Sequence, residues 1–266
     1  MSGLRDVFLE LGPALVVFVL VLARVVGLML IAPIFGSRLV LLRVRASLAL
    51  FLAVALLPAL PAAAQQTVGA ADEPLWLVLA LVLETAIGFL IGLAAQFVFA
   101  GVQMAGQLAG IQMGLGLANL IDPQTQERVT SMAQWLNLSA LFLFLSLDGH
   151  HLLIRAVAES LRVLPVGPAS LNGAGIGMVL TLAGGIFVVA LKLASPVLVL
   201  VLMINGALGV LTKMIPQLNV MVVGFGLNVA AGFFVLAASQ PFAFRVLENS
   251  FGGLLGTLGT LVRALG

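Results

Sequence analysis

Cysteine and tyrosine are both absent from this chain, histidine occurs twice, and charged residues make up only 8%. Without cysteine there is no disulfide, no thiolate metal site and no cysteine nucleophile. Without tyrosine, and with Trp76 and Trp135 as the only tryptophans, the aromatic girdle that usually marks membrane interfaces is nearly missing. Less of the surface is therefore expected to meet lipid than hydropathy alone suggests. The scarcity of charge excludes a soluble domain, in which roughly a quarter of residues are charged. It also excludes a nucleic-acid partner. The net charge is +2 and the pI about 9.9, but the basic residues stand singly between apolar runs, with no patch of interleaved aromatics.

What is present is apolar: 62% of 266 residues, with a mean hydropathy of +1.24. A membrane span takes about 20 apolar residues, and such runs cover residues 11–34, 46–64, 76 to beyond 101, 135–147, 173–211 and 220–238. The expectation is an all-α, polytopic membrane protein with no room for a soluble module. The fifth run is about twice the length a span requires, and Pro196 is expected to kink or break it by removing a backbone donor. A weaker, glycine-rich apolar tail covers 251–262. The second run imitates a signal peptide, with an apolar core and an A-x-A-like end, but its place after a complete earlier span argues against cleavage. Arg38, Arg43 and Arg45 precede that run, whereas the next loop carries Asp72 and Glu73. The positive-inside rule then sets the first loop in the cytoplasm and the N-terminus outside. Lys213 agrees with continued alternation, and Arg155 and Arg162 do not.

In the third run Gly106, Gly110 and Gly114 recur at every fourth position, and Gly92, Gln96, Gln103 and Gln107 fall close to the same helical face. Small-xxx-small faces allow close helix approach in membranes. Two readings follow: the face packs the chain's own helices, or it lines a passage or meets a neighbouring subunit, since three glutamines on one stripe are hard to satisfy in a dry helix pair. After Gly114 comes LGLANLIDPQTQER, where Gly116 and the Asp122-Pro123 pair are expected to end the helix. This segment is a surface turn or a re-entrant plug, and Leu115, Leu117, Leu120 and Ile121 favour the plug.

Charges at membrane depth are functional candidates by default; here they are Arg24, Glu84 and Lys192. Glu84 lies near enough to the start of its run to reach a terminus, and Lys192 can extend along its stem. A proton relay would need carboxylates and histidines clustered at depth, yet the only such cluster, Asp148, His150 and His151, sits at a run boundary. TKMIPQLNVMVVGFG, residues 212–226, reads as a hairpin tip broken at Pro216, with Gln217 and Asn219 offering amides. No nucleophile stands beside a base, no spacing matches a metal-ligand pattern, and no glycine loop feeds a Lys-Ser/Thr pair. A non-enzymatic chain without cofactor or metal is expected.

RVVGLMLIAPIFGSRLVLLRVRASLAL, QMAGQLAGIQMGLGLANLIDPQ, LFLFLSLDGHHLLIRAVAESLRVLPVG and PQLNVMVVGFG together resemble the FliR family, the export-gate proteins of the bacterial flagellar type III secretion apparatus. The resemblance covers nearly the whole chain in order. It implies a FliP-like helical part with a plug loop over residues 1–172, then a FliQ-like long hairpin and tail over 173–266. It further implies one copy of this chain assembled with FliP and FliQ, FlhB and FlhA as neighbours, and unfolded flagellar proteins as the material exported. The location it implies is the inner membrane, within the flagellar basal body, with much of the complex above the membrane plane. Carried onto this sequence, the plug comprises Gln112, Met113, Gly114, Leu115, Gly116, Leu117, Ala118, Asn119 and Asp122. The packing or pore face comprises Gln96, Gln103, Gly106, Gln107 and Gly110, and the cytoplasmic hairpin tip Pro216, Gln217, Leu218 and Asn219. Injectisome relatives share PQLN but usually differ around DGHHLLI and VGF, so the flagellar branch is favoured and an injectisome gate subunit is the alternative. The family commonly continues VGF with proline, whereas Gly226 stands here, which bears on the rigidity of the second hairpin helix. A stand-alone secondary transporter would show an internal repeat in its two halves, and none is evident.

Overall fold

The computed structural model describes residues 2–36, 40–60, 74–117, 130–164, 166–167, 173–215 and 219–265. Among these there is no strand. The helices are α1 (Ser2–Ile31), α2 (Leu42–Leu56), α3 (Pro74–Gln112), α4 (Ser131–Ser146), α5 (Gly149–Val163), α6 (Gly173–Met214), α7 (Val220–Ala238) and α8 (Gln240–Leu265), with short 3-10 turns at Leu57–Ala59 and Leu115–Leu117. The chain is an all-α polytopic membrane protein. Three helices contain stretches long and apolar enough to cross a bilayer, Ala14–Ile31, Leu75–Gln112 and Gly177–Met214, and the number rises to five if the bent pairs α4 with α5 and α7 with α8 each count as one span.

The helix boundaries follow local chemistry. Pro74 opens α3, where its missing donor costs nothing. The Thr130 hydroxyl accepts from the Ala133 amide and caps α4, and the Asn219 side chain accepts from the Val222 amide at the start of α7. Pro196 does not interrupt α6, which runs unbroken for 42 residues. The carbonyl that loses its donor to a proline is four residues back, here that of Lys192, and the Ser195 hydroxyl donates to that oxygen at 2.8 Å. A side chain thus replaces the missing amide, which is how proline is accommodated where no water is at hand. The glycine-rich tail is helical. It belongs to the 26-residue α8, whose Phe251, Leu254, Leu258, Leu261 and Val262 are buried at the three- and four-residue spacing of an amphipathic helix.

The residues group into two compact units that do not follow chain order. The first comprises 1–96, 148–182 and 252–266, the second 97–147 and 183–251. In the first, α2 packs on α1, and α5 meets the Leu57–Ala59 turn. Its buried side chains include Leu20, Leu28, Met29, Ile87, Ile91, Leu153 and Leu161. In the second, Phe99, Phe144 and Phe251 form a triad with ring centroids 5.2–5.5 Å apart in tilted and edge-to-face arrangements, the geometry the ring quadrupole prefers. A further cluster there joins Ala109, Met113, Met132, Val197, Val201 and Leu236.

Candidate functional site

Two places bring together the residues singled out by sequence. In the first unit, Arg24 on α1 and Glu84 on α3 are both fully buried, and Arg24 Nε meets Glu84 Oε2 at 2.5 Å. Arg24 Nη1 donates to Ser160 Oγ at 3.0 Å and Nη2 to the Leu164 carbonyl at 3.3 Å, while the Gly167 amide donates to Glu84 Oε1 at 3.0 Å. The carboxylate therefore does not reach toward the start of its helix; both its oxygens are bonded inside the protein. The guanidinium fork spreads three donors over three acceptors, a geometry a lysine could not reproduce.

What lets α1 and α3 come this close is a pair of glycines. A Cβ on Gly27 would strike the backbone of Thr85 and Phe89, and a Cβ on Gly88 would strike that of Arg24 and Leu28. Gly92 continues the contact against Ile31 and Leu28. Sequence reasoning marked Gly92 and missed the other two. A signal was available: each charged residue is followed one helical turn later by a glycine, Arg24 by Gly27 and Glu84 by Gly88.

The second place is the end of α3 in the second unit. A Cβ at Gly106 would collide with the backbone of Ala133, and one at Gly110 would come within 2.9 Å of Thr130 Oγ1. Because Gly106 has no side chain, its carbonyl accepts from the Thr130 hydroxyl at 3.2 Å, so the residue that caps α4 also ties it to α3. The glycine ladder packs here against the chain's own helix. The glutamines part from it: Gln103 is exposed and Gln107 half-buried, while Gln96, half-buried, is assigned to the first unit.

The helix stop falls at Gly114, with φ +87°, and not at Gly116, which lies in the 3-10 turn. The Gly114 amide donates to the Ile111 carbonyl at 3.0 Å, and its left-handed backbone is the usual glycine termination of a helix. Phe225 crowds it, 2.9 Å from where a Cβ would stand. Met113, 0% exposed, lies in the core with its thioether against Gly232. Leu115 packs at the edge of the same core and lines an apolar groove of about 480 Å³ with Ser131, Met132, Trp135, Phe233, Leu236, Ala237 and Gln240. Gln112 is exposed. Of the remaining expected site residues, Ala118, Asn119, Asp122, Pro216, Gln217 and Leu218 lie outside the described residues, as does the side chain of Leu117. Lys192 is exposed on α6. The arrangement is one of packing, stopping and turning, with an anchored methionine and an apolar turn beyond it.

The family model for bacterial export proteins, family 1, matches residues 15–254. The chain is 38% identical over 206 residues to the flagellar biosynthetic protein FliR of Escherichia coli (strain K12), covering 76% of each chain. It is 32% identical over 218 residues to the FliR protein of Bacillus subtilis (strain 168), covering 81% of each, and 32% identical over 206 residues to that of Caulobacter vibrioides (strain ATCC 19089 / CIP 103742 / CB 15), covering 77% of this chain and 80% of the other. The matched stretch includes both the Arg24–Glu84 pair and the glycine stop of α3. The chain belongs to the FliR family, the bacterial export proteins of family 1.

Proposed function

We propose that this chain is a non-enzymatic subunit of the flagellar type III export gate, assembling as a single copy with FliP and FliQ in the inner membrane at the basal body, with FlhA and FlhB as neighbours. Unfolded flagellar proteins pass the gate, and the segment that begins at Gln112 helps to seal it. In this reading residues 1–172 serve as the FliP-like part and 173–266 as the FliQ-like hairpin and tail. The observation that carries the proposal is the family match over residues 15–254. The flagellar names of the relatives favour this reading over an injectisome subunit.

The end of α3 supports a seal with a fixed base. Met113 in the core and the left-handed Gly114 hold the departure point, and the apolar Leu115–Leu117 turn lies beyond it. Co-expression with FliP and FliQ followed by native mass spectrometry should give one stable complex containing one copy of this chain. A complex that forms equally well without it would overturn the assignment. For the seal, residues 115–117 are replaced by Gly-Ser-Gly while Met113 and Gly114 are kept, so that the anchor survives. Cells carrying an assembled complex of this kind should leak small ions, and a seal as tight as the parent's would locate the closure elsewhere.

A further inference from the structure

We propose that Asp148, His150 and His151 form a site for a borderline divalent transition-metal cation, with zinc as its type ion. All three belong to the first unit. One ring nitrogen of each histidine and one carboxylate oxygen lie within 4.8 Å of one another. The two imidazole centroids are 4.1 Å apart, and Nδ1 of His151 is 3.1 Å from Asp148 Oδ1. Consecutive helical residues ordinarily diverge by about 100°, which is why an adjacent histidine pair does not read as a ligand pattern in sequence. The fold brings the two rings together at the first turn of α5 and adds the aspartate.

Two features of this place bear on an ion. Asp148 is a non-glycine residue in the left-handed region, φ 55°, and its side chain makes no capping hydrogen bond to α5, although satisfying free amides is what an aspartate at that position normally does. His150 Nδ1 is shielded from solvent without a hydrogen-bond partner, and an unsatisfied group of that kind is a recognised mark of an ion site. A cation taken by His150 through Nδ1 would give that nitrogen its partner. The Asp148 carboxylate, held beside His151 and not spent on capping α5, supplies a negative charge that offsets the unfavourable placement of a cation at a helix N-terminus. Two imidazoles and one carboxylate suit zinc and leave a fourth position open, whereas calcium and magnesium would require oxygen ligands throughout.

The test uses the full chain in its detergent-solubilised assembly, carried on a tag without histidine, stripped with chelator and titrated with zinc chloride by calorimetry. One zinc per chain is expected, with affinity falling by about 100-fold in His150→Ala/His151→Ala and about tenfold in Asp148→Asn. Cobalt supplies a second readout: a visible ligand-field band in the parent that the double variant lacks. Should the double variant lose helicity by circular dichroism, His151→Gln carries the comparison. Failure of the parent to bind zinc, or equal affinity in parent and variants, overturns the site. Its failure leaves the export-gate reading untouched.

Discussion

At the residue scale, the most consequential contact is the buried Arg24–Glu84 pair. Removing one partner from such a pair leaves an uncompensated charge in a medium that cannot solvate it, typically costing about 3–5 kcal/mol, whereas replacing both by apolar residues is often close to neutral. Glu84→Ala should therefore lower stability severely, and Arg24→Met with Glu84→Leu should cost far less. Thermal unfolding of the purified assemblies measures the difference, and equal losses would show that the two charges are not coupled. Both charges were legible in the sequence as anomalies, since an apolar run tolerates them only for a reason. Their meeting was not legible. They lie 60 positions apart, and the acceptors at Ser160 and Leu164 come from a third segment, so only the fold joins them.

Among the elements, α6 offers the sharpest test. Ser195 and Pro196 should behave as a coupled pair, because the serine hydroxyl satisfies the Lys192 carbonyl that the proline leaves without an amide. Ser195→Ala alone should cost about 0.5–1.5 kcal/mol for the lost hydrogen bond. In the background of Pro196→Ala, whose restored amide bonds that carbonyl, the same change should be nearly silent; a double-mutant cycle on the purified assembly reads the coupling, and additivity would refute it. Gly114 is the second element-scale site. Gly114→Ala should cost about 1–2 kcal/mol for the left-handed backbone plus the clash with Phe225. Adding Phe225→Ala should recover only the clash, and full recovery would mean the backbone strain is negligible. Long apolar runs made the helices easy to read, and α7 coincides with its run over Val220–Ala238. The tail gave a weaker signal because its glycines dilute the apolar run, although the spacing of Phe251, Leu254, Leu258 and Leu261, all buried, was present. Of the kink or break expected at Pro196, the break does not occur, because the rule counts the lost donor and not the serine beside it.

For the whole molecule, the telling quantity is apolar surface without cover. Leu202 is 74% exposed, Met203 68% and Phe234 75%, and many other large side chains of α6 and α7 share that state. Contiguous surface of this kind marks contact with lipid or with partner chains. With the aromatic girdle nearly absent, partners are the better account of much of it. The chain expressed alone should accumulate poorly and aggregate on extraction, and co-expression with FliP and FliQ, the partners proposed above, should raise the yield of monodisperse material several-fold. Size-exclusion chromatography of the two preparations decides the matter; a stable monomer in isolation would assign that surface to lipid. The division into two units was not legible at all, because each is assembled from segments far apart in sequence and α3, α6 and α8 each contribute to both.

The glycines also foretell which lesions genetics can repair. At Gly232 an added methyl group would meet the Cγ, Sδ and Cε atoms of Met113, the end of a side chain that a second mutation can shorten. Revertants of Gly232→Ala should therefore include compensating changes at Met113. At Gly27 and Gly88 the obstacle is the opposing main chain itself, which no substitution can trim. A motility screen for revertants of Gly27→Ala or Gly88→Ala should return true reversions alone, so the crossing of α1 and α3 is a point from which the lineage cannot drift one residue at a time.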